Sequence, residues 1–279
     1  VCSSDLVHET VLGIRDGRIV CACRDFTFPD SRLVNFHDLK NSLSDDEPGF
    51  TEDASTGSGV VLADVRSAIH RIPVLRSIDG VSDRFWDMFV VDAFIRNIDR
   101  NNTNWGVLRN PRGEFSLAPV YGNGNSFNNK RTESGIERRL ANPDLIRQDA
   151  LDVRSCYVTD RGKPIAPLKY LASGQDEECT KALDRFMERY DPRSFHDLLD
   201  SIPSMSHGLT VVPDGFHEYH RRVCDYRYEH AFMEAWRELH PTVGFPSSPE
   251  ASVPEPLPDP DPSVLPSSSV PTCFGGPGM

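Results

Sequence analysis

Apolar and polar positions along the chain change their period from one end to the other. Residues 7–14 and 18–23 cluster or alternate β-formers on either side of Asp16-Gly17, a dipeptide favoured in two-residue hairpins. Residues 60–72 and 81–98 read as helices. In the second, Phe85, Met88, Phe89, Phe94, Ile95 and Ile98 fall near one face, and Ser82 is placed to cap the start. A polar, turn-rich stretch follows at 97–104, then two short strands at 105–108 and 115–121 around Asn110-Pro-Arg-Gly113. From Asp176 onward the spacing is helical: Ala182, Leu183, Phe186, Met187 and Tyr190, then 195–202, then 216–239. A β-rich start, a loop and hairpin in the middle and a helical end describe an α+β fold with segregated parts.

Composition narrows this picture. Of 279 residues, 38% are hydrophobic and 26% charged, with 30 Lys and Arg against 42 Asp and Glu for a net charge of −12 at pH 7. No apolar run approaches a membrane span, and the acidic balance argues against direct nucleic-acid binding or an anionic membrane surface. Seven scattered cysteines include no Cys-x-x-Cys pair and no zinc spacing, so they read as reduced thiols of a cytoplasmic protein. Cys21 and Cys23, alternating along a strand, are expected on opposite sides. Residues 41–59 carry Asp45, Asp46, Glu47, Glu52 and Asp53 among Gly and Ser, as an exposed acidic loop would. Residues 246–279 hold ten prolines and four acids with no Lys or Arg, the composition of a disordered Pro-rich acidic tail. Residues 1–6, Val-Cys-Ser-Ser-Asp-Leu, read as an artefactual leader on an N-terminally truncated fragment.

The chemistry concentrates in Asp92-Ala-Phe-Ile-Arg-Asn-Ile-Asp-Arg-Asn-Asn-Thr-Asn-Trp-Gly106. An apolar helix delivers Asp99, and Asn104 follows five positions later, just before a hairpin. Kinase catalytic loops use this separation, in which the Asp takes the proton of an attacking hydroxyl and the Asn holds a Mg2+ against nucleotide phosphates. Four Asn within eight positions also suit a loop that merely builds turns, so spacing alone leaves both readings open. The context is more specific. Phe94-Ile-Arg-Asn-Ile-Asp-Arg100 with Asn104, Ala118-Pro-Val-Tyr121, and Asn125-Ser-Phe-Asn-Asn-Lys130 resemble the HipA-like serine/threonine kinases, including their short Helicobacter-type relatives. His8-Glu-Thr-Val-Leu-Gly13 and Cys23-Arg-Asp-Phe26 resemble the strands leading to that family's hinge. The likeness covers roughly residues 7–240.

The resemblance implies a protein-kinase-like, mostly helical C-lobe at 41–245, the HipA C-terminal domain, preceded by a β-rich N-lobe remnant and hinge at 7–40. Asp99 and Arg100 match the catalytic positions, Asn104 the Mg2+ ligand, and Cys23, Arg24, Asp25 and Phe26 the adenine-binding hinge. ATP and Mg2+ are the implied cofactors, a protein with a Ser or Thr acceptor the implied substrate, and an antitoxin-like protein an implied partner, as in toxin-antitoxin pairs. Three departures stand out. Gly122 occupies the position of the second metal-binding Asp and offers no side-chain oxygen. Asn101 replaces the family's His two residues after the catalytic Asp. No glycine-rich phosphate loop precedes Asp99, and Lys40 follows the hinge rather than preceding it. The expected activity is therefore Ser/Thr phosphorylation impaired by truncation and by Gly122, with a pseudokinase or a nucleotide- or protein-binding module as the alternative, and a helical adaptor without a nucleotide site as a third class.

Other features rank lower. Ser58 between two glycines sits in the acidic loop, not on the strand-to-helix turn a hydrolase nucleophile needs. His217 and His220 could share a helix face, but Glu218 and Arg221 around them suggest a solvated surface without further metal ligands.

Overall fold

A computed structural model describes residues 7–27, 29–44 and 59–241. The expected leader, most of the acidic loop with Ser58, the Pro-rich tail, Cys2 and Cys273 lie outside the described residues.

The hairpin forms where Asp16-Gly17 marks it. Strands β1 (Thr10–Arg15) and β2 (Arg18–Cys23) pair antiparallel with Arg15 opposite Arg18, and the turn residues have φ of 52° and 70°. Cys21 and Cys23 share one face of β2, because side chains two apart in a strand point the same way. Both are exposed, and no described cysteine is in a disulfide.

Strand β3 (Arg32–Asn35) leaves the hairpin and joins the body. It pairs with β5 (Gly106–Arg109), which pairs in turn with β6 (Phe115–Leu117), all antiparallel. Helix α1 (Phe36–Ser44) follows directly, with Phe36 fully buried and stacked 4.2 Å from Trp105. Lys40 is also fully buried, 3.8 Å from Asp64. The boundary expected between residues 40 and 41 therefore falls inside a helix whose buried face already belongs to the body.

After β4 (Val60–Val61), which runs parallel to β7 (Tyr157–Val158), come α2 (Leu62–Arg71), α3 (Pro73–Arg76) and α4 (Val81–Ile95). Helix α4 is the central rod. Phe85, Trp86, Met88, Phe89, Val90, Ala93 and Phe94 are all buried, so it is apolar on more than one face, as a helix enclosed by others must be. Against it pack α7 (Pro167–Ser173) and α8 (Glu177–Arg189), and α9 (Pro192–Asp200) reaches it through Phe195 on Phe94, while α5 (Glu133–Leu140) and α6 (Pro143–Leu151) form a second apolar cluster of Ile136, Ile146 and Ala150 with Tyr219 and Val223. After the short pair β8 (Met205–Ser206) and β9 (Leu209–Thr210), α10 (Phe216–Arg227) passes through a π-helical turn (Tyr228–Phe232) into α11 (Met233–Leu239). Phe94 alone meets the rings of Phe186, Tyr190, Phe195 and Phe232 within 5.5 Å, edge-on or tilted as aromatic quadrupoles prefer.

Three local expectations change. Ser82 does not cap α4, because Gly80 holds the N-cap position in the left-handed region and the Ser82 hydroxyl donates to Glu178 Oε1 at 2.7 Å. The helix stops at Ile95, leaving Ile98 exposed. His220 is not solvated but buried against Phe127, Phe216 and Tyr219, and His217 bonds the Ile202 carbonyl. Among the described residues no cluster of His, Cys, Asp and Glu could hold a metal, and no helix is long and apolar enough to cross a membrane.

Candidate active site

The loop between α4 and β5 begins where Arg96 turns left-handed, with φ 56°, and the Asn97 N–H closes onto the Asp92 carbonyl at 2.8 Å. The chain then dives inward. Asn97, Arg100, Asn101 and Asn102 are all buried, a depth that a polar loop tolerates only if its groups are bonded.

Arg100 meets that condition completely. Its guanidinium makes a two-pronged bond to Asp92, Nε to Oδ2 at 2.7 Å and Nη2 to Oδ1 at 3.0 Å. The remaining donors reach the Asn104 carbonyl at 2.8 Å, the Tyr121 carbonyl and Asn123 Oδ1. All five N–H groups have acceptors, so none is left for a substrate. Burial works against the charge, but the Asp92 carboxylate outweighs it and holds the guanidinium above its ordinary pKa. Arg100, expected beside Asp99 as a catalytic group, is in place a strut tying α4 to the loop and to the segment after β6 at Tyr121. Neither is it a surface arginine.

Asp99 points the other way and is half-buried. Asn101 Nδ2 donates to its Oδ1 and Asn125 Nδ2 to its Oδ2, each at 2.9 Å. The carboxylate is gripped from both sides, yet each oxygen keeps a lone pair for another donor. Asn101, a departure from the family's His, thus steadies the carboxylate. Its own Oδ1 accepts from Thr103 N and Oγ1 and fixes the loop turn. Asn104 Nδ2 donates to the Asp99 carbonyl at 2.5 Å.

Gly122 completes the arrangement. A Cβ placed on it would stand 2.7 Å from Asn104 Cβ, 2.9 Å from Cγ and 3.1 Å from Oδ1. A side chain at this position would therefore aim straight at the Asn104 amide. The backbone here has φ +75°, a conformation that suits glycine and that Asp and Asn tolerate better than most residues.

The expected hinge is mostly exposed. Arg24 pairs with Glu9 at 2.9 Å, and two hydrogen bonds from Thr27 hold the Asp25 carboxyl below its usual range. Cys23 ends β2 without a described partner for its thiol. Phe26 connects this segment to the loop, its ring 5.8 Å from that of Tyr121, whose hydroxyl lies 2.8 Å from Asn35 Oδ1 and 3.0 Å from the Thr103 carbonyl. The structure thus brings Asp99, Asn104 and Gly122 together, links Phe26 to them through Tyr121, and leaves Cys23, Arg24 and Asp25 at the surface. Asp92 and Asn125 were not singled out from the sequence. An Asp between Val91 and Ala93 on an apolar helix is the signal that could have marked the first.

For Mg2+ the side chains offer one neutral hard oxygen, Asn104 Oδ1, on the residue whose amide nitrogen bonds the Asp99 carbonyl, since Asp92 is spent on Arg100. That set fits a magnesium ion held largely by nucleotide phosphates and does not make a protein cage of its own.

No protein-family model matches the chain. Over 202 residues, 72% of the chain, it is 33% identical to the serine/threonine-protein kinase CtkA of Helicobacter pylori, and it spans 60% of that relative's length. The crystal structure of a Helicobacter pylori proinflammatory kinase CtkA matches it with a TM-score of 0.74 at 28% identity, over 85% of this chain and 82% of the other. The chain is similar to CtkA over most of its length and shares the fold of that serine/threonine kinase.

Proposed function

We propose that the chain is a kinase-like domain directed at the Ser or Thr hydroxyl of a protein, with ATP as phosphoryl donor. The observation that supports this most is the convergence of Asp99, Asn104 and Gly122 on one spot in a kinase fold. In the reaction, the acceptor hydroxyl donates to a free lone pair of Asp99. Its oxygen forms a bond to the γ-phosphorus as the bond to the β-bridging oxygen breaks, its proton passes to Asp99, and ADP leaves. Asn101 and Asn125 hold Asp99 in orientation, and Arg100 holds the loop that carries it. Asn104 would hold Mg2+, which neutralises phosphate charge when bound. In this reading the hairpin of β1 and β2 and the segment leading to Phe26 belong to an N-lobe and hinge, with Phe26 against Tyr121 marking the edge of an adenine site.

Gly122 favours a second reading, a pseudokinase or binding module, because it removes the anionic ligand that would stand beside Asn104. Two measurements on the full chain separate them. Mg2+-ATP raising the melting temperature supports a nucleotide site by linkage. Transfer of label from γ-labelled ATP to protein, abolished by Asp99→Asn with unchanged circular dichroism, supports catalysis. A shift without transfer favours the pseudokinase, and neither a shift nor transfer overturns both.

A further inference from the structure

Beyond Asn125 the surface opens into a cleft of about 470 Å3 between the turn that ends α4 and the segment entering α5. In a chain of net charge −12, its lining carries Arg96, Lys130, Arg131, Arg138 and Arg139 and no carboxylate. Three of these cations are anchored. Arg131 and Arg139 both bond Asp149, at 2.6 and 2.5 Å, and Arg96 bonds the Asp152 carbonyl at 3.1 Å with that residue's carboxylate 4.0 Å away. One Asp149 therefore answers two guanidiniums, and Tyr219 adds a hydroxyl that bonds both Asp149 and Arg131. Lys130 and Arg138 are exposed and make no ion pair with any described residue. On α5 the lining positions Gly135, Arg138 and Arg139 are three and four apart, so they share a face, while Glu133 and Glu137 are not among them.

The position of this charge matters as much as its sign. Asn125 lines the cleft and also donates to Asp99 Oδ2, and Arg96 and Ile98, three positions and one position before Asp99, line it too. A segment lying in the cleft leads its neighbouring hydroxyl to that carboxylate. We propose that the cleft seats the acidic flank of the acceptor segment, so that the substrates are proteins whose Ser or Thr stands beside Asp or Glu. Lys130 and Arg138 read the carboxylates, and the three anchored arginines keep the cleft rigid and positive. The proposal rests on the kinase reading for the role of Asp99, but the binding it describes needs no nucleotide. Because the remainder of the chain is acidic, this local charge also decides where an acidic segment lands.

The test measures binding, without ATP, of labelled peptides that carry one Ser flanked by Glu, by Ala or by Lys, using fluorescence anisotropy at low ionic strength. The Glu peptide binds about tenfold tighter than the Ala peptide, and added salt erodes the difference. Lys130→Glu with Arg138→Glu, both at exposed positions, reverses the preference toward the Lys peptide with unchanged circular dichroism. Equal binding of all three peptides, a preference untouched by the double reversal, or equally tight binding of a single-stranded oligonucleotide overturns the proposal. A preserved Glu preference in a protein that shows no Mg2+-ATP shift would sink the kinase reading and leave the cleft standing. Loss of the preference with the shift intact would do the reverse.

Discussion

Replacing Gly122 tests the candidate site at its narrowest point. Gly122→Ala places an L residue at φ +75°, which costs about 1–2 kcal/mol from the left-handed backbone alone. The new Cβ also arrives 2.7 Å from Asn104 Cβ, which no side-chain rotation moves, so the backbone around Asn104 must give way and the bond from Asn104 to the Asp99 carbonyl is lost. Losing that bond adds about 1 kcal/mol. Together these lower the melting temperature by roughly 4–12 °C for a body of this size. Gly122→Asp starts from the same contact but tolerates the backbone better, so its baseline loss is about half that of Ala. An unperturbed baseline, which ordinary backbone angles at Gly122 would allow, is therefore not expected. With Mg2+-ATP the two variants part. The carboxylate stands beside the Asn104 amide and gives a hard cation an anionic ligand, so the ATP-induced shift of Gly122→Asp exceeds that of the parent and of Gly122→Ala. The assay is a thermal melt of all three proteins, with and without Mg2+-ATP. An Ala variant that melts with the parent would show that Asn104 and Gly122 are not in contact. An Asp variant whose shift is no larger than that of Ala would show that position 122 does not face the phosphates.

Other outcomes follow from the buried charges. Arg100→Met leaves Asp92 buried without its cation and costs about 3–5 kcal/mol by urea unfolding, whereas Arg100→Met with Asp92→Leu recovers part of the loss; a single variant as stable as the parent refutes the strut. Arg227 is buried and donates to the carbonyls of Phe94, Asp149 and Ala150 near the ends of α4 and α6, so Arg227→Met costs about 3 kcal/mol in the same assay. Burial, with Arg227, Arg131 and His217 nearby, drops the His220 pKa from 6.5 to about 3, so the unfolded chain takes up a proton there that the fold refuses. Stability is thus lost as pH falls from about 6.5 toward 3, by about 1.4 kcal/mol per unit from this group, and His220→Phe flattens the slope by one proton; an unchanged slope would show that His220 accepts a proton in the fold. Asn125→Ala frees Asp99 Oδ2 and lowers any transfer rate severalfold, with little effect on unfolding, because one hydrogen bond in a half-buried site contributes about 1 kcal/mol.

Local chemistry alone was enough for the hairpin at Asp16-Gly17 and for the helical spacing beyond Asp176, where that Asp caps α8 through its own side chain. Each depends on residues a few positions apart, whose propensities and periods act before any tertiary contact forms. The tertiary structure decided what those residues face. Arg100 is next to Asp99 in sequence, yet one carboxylate meets Asn101 and Asn125 while the guanidinium turns inward to Asp92, eight positions back on another element. Residues 32–44 follow the hairpin in the chain but pair with β5 and bury Phe36 in the body, because long-range strand pairing outweighs sequence proximity. His220 looked solvated among charged neighbours until Phe127 and Phe216 closed over it. Only the folded backbone shows that Gly122 lies at φ +75° against Asn104, since nothing in a glycine's own sequence context states which side chain, eighteen positions earlier, its missing Cβ would strike.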